Sequence, residues 1–238
     1  DRLQRRGFDG SDVHRLAARD RHVFGALMLA HGHGDGLVTG ATRKSAHILD
    51  RVNHVYDADA SSKAAGITAL IHKGRIVFIA DTLVQEWPDE ENLADIAQQA
   101  ATVARNMGLE PRVAFVSFST FGYPVSERAE KMHRAPQVLD GRGVDFEYEG
   151  EMTADIALDF DLMQSRYPFS RLSGPANILV MPGLHSANIS FKLMQQLGGG
   201  SVIGPMILNA EHPFQIIQMS ATVNDLVNAA ALAAYESL

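Results

Sequence analysis

Short apolar runs rich in β-branched residues recur along this chain, separated by longer segments of helical period, and no other feature restricts the fold as much. The runs occupy residues 36–39, 66–71, 76–80, 113–116, 178–181 and 201–203. Most are apolar without alternation, as strands buried on both faces are. Helical period marks residues 92–107, 126–139, 153–163, 186–197 and 221 to the end. Several of these segments carry end signals. Asp89, Glu90 and Glu91 load a first turn with negative charge, and Gly108 and Gly198 are placed to end helices after Met107 and Leu197 in a left-handed conformation. One pair of runs breaks the alternation: 67–71 and 75–80 are separated by little more than Lys73-Gly74, which predicts a tight antiparallel hairpin. The expected class is therefore α/β, with parallel-rich sheets and flanking helices. Ligands of such folds sit outside the carboxyl ends of the strands. No repeat or linker stands out, and the weakest join is expected near residues 58–63, where Asp, Ala and Ser crowd together.

Composition removes several classes of function. The chain has 238 residues, 46% of them hydrophobic and 21% charged, which is the profile of a globular protein rather than a disordered one. There is no cysteine, so disulfides, thiolate chemistry and Cys-held zinc are excluded, and the expected cytoplasmic location is permitted. A net charge of −7 argues against nucleic acid as a partner, because a polyanion needs a basic face. No apolar stretch reaches the length of a membrane span; the longest candidate, residues 24–30, is broken at once by His31-Gly32-His33-Gly34. The chain opens on Asp1, and Arg2, Arg5 and Arg6 precede no long apolar run, so no signal peptide is expected and the chain reads as a piece of something longer.

Four stretches could carry chemistry. Ser117-Phe118-Ser119-Thr120-Phe121-Gly122 follows a strand and precedes the helix bearing Lys131 and Arg134. Its hydroxyls and backbone N–H groups either converge on a phosphate or acyl ligand or merely cap that helix. Asn188 and Lys192, four residues apart after the strand that ends in Met181-Pro182-Gly183, place an amide and an ammonium on one helix face. A solvated helix face would read the same way. Residues 145–161 hold Glu147, Glu149, Glu151, Asp155, Asp159 and Asp161, and read as an acidic loop feeding a helix start rather than as a metal or acid/base site. His31-Gly32-His33-Gly34-Asp35 lacks the helical His spacing of a metalloprotease and any Cys partner, so no metal site is expected. No Walker lysine motif, nucleophile elbow or dinucleotide fingerprint is present.

Other motifs occur in a familiar order. Asp35-Gly36-Leu37-Val38-Thr39-Gly40, Ala80-Asp81-Thr82, Ser117-Phe118-Ser119-Thr120, Gly150-Glu151-Met152-Thr153-Ala154-Asp155, Met181-Pro182-Gly183-Leu184 with Asn188-Ile189, and Gly204-Pro205 resemble the phosphate acetyltransferase family. The likeness runs from about Arg6 to the end. Lys131-Met132, Ser186-Ala187-Asn188-Ile189 and Ser220-Ala221-Thr222-Val223 with Val227-Asn228 bring it nearer to the phosphotransacetylase-like domain of bacterial hybrid NADP-dependent malic enzymes. That resemblance implies a two-lobed phosphate acetyltransferase-like fold of the isocitrate/isopropylmalate dehydrogenase-like kind. It implies a regulatory domain over residues 1–238 that lacks its own N-terminal portion and is separated here from its malic enzyme module. It also implies acetyl-CoA as allosteric effector, bound in a cleft between lobes, with NADP and Mg or Mn confined to the malic enzyme module. The expected partners are that module and a second copy of the chain, in a dimer formed through this domain.

The departures bear on catalysis. Where the resembling enzymes have Ser-Arg-Gly-Cys, this chain reads Gln218-Met219-Ser220-Ala221, and only the later Asp225 is retained. Arg offers a charged fork to phosphate and Met offers nothing, a loss of the kind that costs about a hundredfold or more in rate. Gln218 cannot ionise as a base. Asp50 stands roughly where the enzymes tend to carry an Arg, beside Arg51. The resemblance thus implies a binding site without turnover: Ser117, Ser119, Thr120, Phe121, Gly122, Lys131, Arg134, Asn188 and Lys192 as acetyl-CoA ligands, with no catalytic residue.

Overall fold

A computed structural model describes residues 2–5, 7–56, 65–198, 200–208, 210 and 212–237, with the side chain of Arg128 left out. Asp1, Arg6, the expected weak join at 58–63 and Gly199 lie outside the described residues. The chain divides into two compact units, residues 1–64 with 203–238, and residues 65–202.

In the first unit, helices α1 (Arg2–Arg5), α2 (Gly10–Arg19), α3 (Arg21–Ala30), α4 (Ser45–Asn53) and α10 (Val223–Glu236) accompany a parallel pair formed by β1 (Leu37–Gly40) and β8 (Phe214–Ile217). Asp9 and Asp20 start α2 and α3, their carboxylates accepting from Asp12 N–H and from His22 and Val23 N–H. Each satisfies donors that have no partner inside the helix. The core holds Val23, Ala26, Ile48, Val52 and Phe214, all buried. Tyr56 contributes its ring against Phe214 and donates its hydroxyl to the Ala26 carbonyl at 3.2 Å. The run at 24–30, weighed above only as a membrane candidate, is the greater part of α3; among the described residues no helix is long and apolar enough to cross a membrane.

The second unit is built on a mixed sheet. Its strands β2 (Ala65–His72), β3 (Arg75–Ala80), β4 (Arg112–Val116), β5 (Glu147–Met152) and β6 (Ile178–Val180) lie in the order β5-β4-β6-β3-β2, with β7 (Ser201–Leu208) starting beyond β2. The first four in that order are mutually parallel, and β2 runs antiparallel to β3. The hairpin has the expected turn: His72 faces Arg75, and Lys73 and Gly74 both take positive φ, 49° and 75°, the two-residue geometry that follows strand twist. Helices α5 (Glu90–Asn106), α6 (Glu127–Arg142), α7 (Ala154–Leu158), α8 (Phe160–Arg166) and α9 (Leu184–Leu197) connect the strands. Asp89 caps α5, whose buried residues include Ala94, Ala97, Ala100, Ala101 and Ala104, small enough for close approach of a helix to its neighbours. Phe78 and Phe115 are wholly buried, each worth about 1.5–3 kcal/mol of transfer free energy.

Two expectations need correction. The stretch at 145–161 is not an acidic loop: its first half is β5, the edge strand beside β4, and its second half is two short helices, α7 and α8, separated where Asp159 ends the first and caps the second. Gly198 ends α9 in right-handed rather than left-handed geometry (φ −83°), and a Cβ there would lie 2.6 Å from the Met194 carbonyl oxygen, so this glycine answers crowding rather than backbone sign. Gly108, by contrast, takes φ 77° as expected. Strand β8 and helices α2 and α4 carry no expectation from the sequence.

Candidate functional site

The carboxyl ends of β4, β5, β6 and β3 lead into the segments that carry nearly all the candidate residues. The 117–122 loop leaves β4, α9 begins just after β6, and the 81–89 segment leaves β3.

The loop is organised around one residue of β5. Phe115 faces Gly150 and Val116 faces Met152, so Glu151 is the extra residue of a bulge. Bulges re-aim side chains, and here the re-aimed carboxylate is only 1% exposed. Its Oε1 accepts from Ser119 Oγ–H at 2.9 Å and from Gly122 N–H at 2.8 Å, while Oε2 lies 2.9 Å from His133 Nδ1 on α6. The Glu151 carbonyl accepts from Phe121 N–H at 2.8 Å. Gly150 makes the bulge feasible: its φ is +150°, and a Cβ would sit 2.8 Å from Phe115 Cβ and 2.9 Å from the Phe115 carbonyl oxygen.

This wiring decides which groups the loop can offer a ligand. The N–H groups of Thr120, Phe121, Gly122 and Tyr123 are all spent within the protein. Tyr123, Pro124, Val125 and Ser126 separate the loop from α6, whose N-cap Ser126 makes no side-chain cap bond. The loop is therefore neither a nest of free N–H groups nor the cap of a helix. What it retains is a hydroxyl proton. Thr120 Oγ1 accepts from Thr153 N–H at 3.3 Å and keeps its own proton to donate, whereas Ser117 Oγ, which accepts from Ser119 N–H at 3.5 Å, lies 3.2 Å from Ser119 Oγ and gives its proton to that oxygen. Ser119 is buried and its proton goes to Glu151. The Phe121 ring packs against Tyr167 and Phe169, with centroids at 5.1 and 4.8 Å, and so braces the loop.

The expected cations are occupied differently. Lys131 donates to the carbonyls of Pro88 (3.0 Å) and Pro182 (2.8 Å) and lies 5.8 Å from the Trp87 ring centre, so it ties the segments after β3 and β6 to α6. Burial lowers its ammonium below the usual lysine range, against the opposing charge of Asp89. One proton of the three remains for a ligand. Arg134 pairs with Glu130 at 3.1 Å on an exposed face. On α9, Asn188 is half-buried with no partner among the described residues, and Lys192 lies over the Phe191 ring at 5.1 Å.

The carboxylates flanking Glu151 serve the fold. Glu147 accepts from Ser173 N–H, Glu149 from Arg171, Asp145 pairs with Arg105, and Asp159 caps α8. No cluster of three or more His, Asp or Glu among the described residues is placed to hold a metal ion. His31 and His33 instead border, with His14, Phe24, Leu27 and Met28, an apolar groove of about 360 Å³ in the first unit.

Gln218, Met219 and Asp225 belong to the first unit. The Gln218 carbonyl accepts from Ala221 N–H at 3.1 Å, closing a turn on which Met219 is 60% exposed. Asp225 forms a capping box with Thr222 at the start of α10: its Oδ2 accepts from Thr222 N–H (2.7 Å) and Oγ1–H (2.8 Å), and Asp225 N–H donates back at 3.2 Å. Asp50 lies near Arg51 and His54.

The whole arrangement can be compared with known proteins. The model of the phosphate acetyl/butaryl transferase family matches residues 1–234. The chain belongs to that family. Within it, the chain is 49% identical over 236 residues to an NADP-dependent malic enzyme of Rhizobium meliloti, covering 99% of this chain and 31% of that protein. It is 34% identical to the NADP-dependent malic enzyme of Escherichia coli, again over 99% of this chain and 31% of the relative. The phosphate acetyltransferase of Bacillus subtilis is 28% identical over 99% of this chain and 73% of its own length. Among solved structures, a phosphotransacetylase from Streptococcus pyogenes superposes with a TM-score of 0.85 at 26% identity, covering 92% of this chain and 68% of that one. The chain thus spans about a third of the length of the malic enzymes it matches.

Two site residues of this family member escaped the sequence reading. His133 carries no expectation although it lies two residues beyond Lys131, and Glu151 enters only as one of the acidic residues and as part of the Gly150-Glu151-Met152 motif, with no role at the loop. A signal for the latter existed: Phe146-Glu147-Tyr148-Glu149 alternates with period two, as a strand does.

Proposed function

We propose that this chain is an acetyl-CoA-binding allosteric domain of a hybrid NADP-dependent malic enzyme and has no transacetylase activity of its own. The observation that carries the reading is Met219. It stands at an exposed turn where the resembling enzymes place an arginine, and its thioether cannot stabilise charge on a phosphoryl group. Against that loss, the 117–122 loop keeps a hydroxyl donor at Thr120 that suits a carbonyl or phosphate oxygen of an acyl-CoA. Lys131, Asn188 and Lys192, following or facing neighbouring strand ends, are the further contacts we assign to it. The names of the malic enzyme relatives support the parent activity, oxidative decarboxylation of malate to pyruvate and CO₂, with NADP and Mg or Mn bound outside this chain. Coupling to the malic enzyme module requires that acetyl-CoA bind two arrangements of the assembly with different affinity. We also propose cytoplasmic residence and self-association as a dimer.

Calorimetric titration of the chain with acetyl-CoA tests this reading. Saturable heat at submillimolar ligand with no acetyl phosphate formed in a coupled assay is the expected result; no heat and no thermal shift at millimolar ligand would remove it. The likeness in fold to solved phosphotransacetylases favours one competitor, a working phosphate acetyltransferase. Acetyl phosphate formation above background decides for that competitor.

A further inference from the structure

We infer that His133 is a positioning residue of the 117–122 loop, acting through Glu151, and that this pair sets how well the loop receives its ligand. The inference rests on the acetyl-CoA reading above for the ligand but not for the loop. Glu151 accepts three of the hydrogen bonds that shape the loop: its carbonyl takes Phe121 N–H, and Oε1 takes Gly122 N–H and Ser119 O–H. Phe121 and Gly122 hold consecutive positive φ values, 48° and 86°. A phenylalanine resists that conformation, so the loop keeps its shape only while these bonds are made.

The carboxylate in turn depends on His133. Among the described residues, Oε2 has no other partner, and the Glu151 side chain is 1% exposed. A carboxylate oxygen accepts, so this contact places the imidazole proton on Nδ1, pointing at Oε2. Removing that donor leaves a buried oxygen unpaired. The carboxylate then turns toward another donor, which competes with the bonds from Ser119 and Gly122. His133 itself is 40% exposed on α6, the helix that also presents Lys131 to the Pro88 and Pro182 carbonyls. One helix thereby anchors the segments after β3, β4 and β6 together with the end of β5.

The test compares His133→Leu, which removes the donor, with His133→Asn, whose amide nitrogen takes the place of Nδ1. Amide hydrogen exchange at Phe121 and Gly122 and acetyl-CoA affinity by calorimetry are read on each variant and on wild type. We expect the leucine variant to exchange Gly122 at least about tenfold faster, relative to amides in α5, and to bind acetyl-CoA about tenfold more weakly. The asparagine variant should return both to within about threefold of wild type. Unchanged Gly122 exchange in His133→Leu, or failure of His133→Asn to restore it at an unchanged melting temperature, overturns the inference. If wild type takes up no acetyl-CoA, the functional reading fails, and exchange alone decides the role of His133. Faster exchange with unaltered affinity removes the ligand half of the proposal.

Discussion

Replacing Asp81 by Asn should destabilise the second unit by about 2–4 kcal/mol and loosen the segment that carries Trp87. Asp81 is 1% exposed at the end of β3. Its Oδ1 accepts from the N–H groups of Gly66 (2.8 Å), Leu83 (2.8 Å) and Val84 (3.1 Å), and Oδ2 from Val84 (3.2 Å) and Gln85 (2.7 Å). Every partner is a donor. An asparagine can satisfy one side of this cage, but its NH₂ group must then face at least one N–H. A hydrogen bond to a charged group is worth about 1.5–3 kcal/mol, and a buried N–H without a partner costs about 1–3 kcal/mol. Part of that sum is returned because the carboxylate itself is costly to bury, as the upward shift of its pKa by burial shows, even with the four opposing backbone N–H groups. The remainder gives the range stated, equivalent to a fall of roughly 5–15 °C in melting temperature for a chain of this size. Urea unfolding followed by circular dichroism measures it. The chain's single tryptophan supplies an independent readout, since Trp87 lies in the same segment and is 71% exposed. Its fluorescence anisotropy in the folded variant should drop. A change in stability below about 0.5 kcal/mol, or a large loss with unaltered anisotropy, would refute the assignment of Asp81 as the organiser of this segment.

Further expectations follow from other sites. His22 is 3% exposed, and burial pushes its imidazole below the usual range, so the unfolded chain takes up a proton that the folded one refuses. Its contribution to stability is complete above about pH 6.5 and is lost as pH falls, by at most about 1.4 kcal/mol per pH unit; melting temperatures at pH 5.5 and 7.5 should converge in His22→Gln relative to wild type. Gly150→Ala should cost about 3 kcal/mol or more, because a Cβ would meet the Phe115 backbone at 2.9 Å, and a thermal melt would show it. Thr222→Ala and Asp225→Ala should each cost about 1 kcal/mol, with the double variant little worse than either alone, as two halves of one capping box require. Denaturant titration of all three closes that cycle.

Much of the sheet was legible because its strands hold uninterrupted apolar runs; 76–80 and 113–116 follow that rule. Strand β5 was not, because charge was weighed above period: Glu147, Glu149 and Glu151 looked like a solvated loop, although each carboxylate is matched by a donor brought from far along the chain, such as Ser173, Arg171 or His133. Helix α2 was equally quiet, since it buries no residue completely. At the candidate site, the sequence singled out the 117–122 loop but not its internal bonding. Which N–H groups are consumed depends on the bulge at Glu151, a tertiary feature, and Lys131 is drawn to carbonyls 43 and 51 residues away. Asp225 shows the reverse case, where a motif residue also has a complete local explanation in its capping box.

The bulge has one more consequence. Since β5 carries one residue more than β4 opposes, the position of the Glu151 carboxylate is set by a count of residues as much as by their identity. A relative shortened by a single residue between Phe146 and Met152 could keep every chemical group of this segment and run as an unbroken strand. The carboxylate would then stand on the opposite face, and the loop after β4 would have nothing to fasten to.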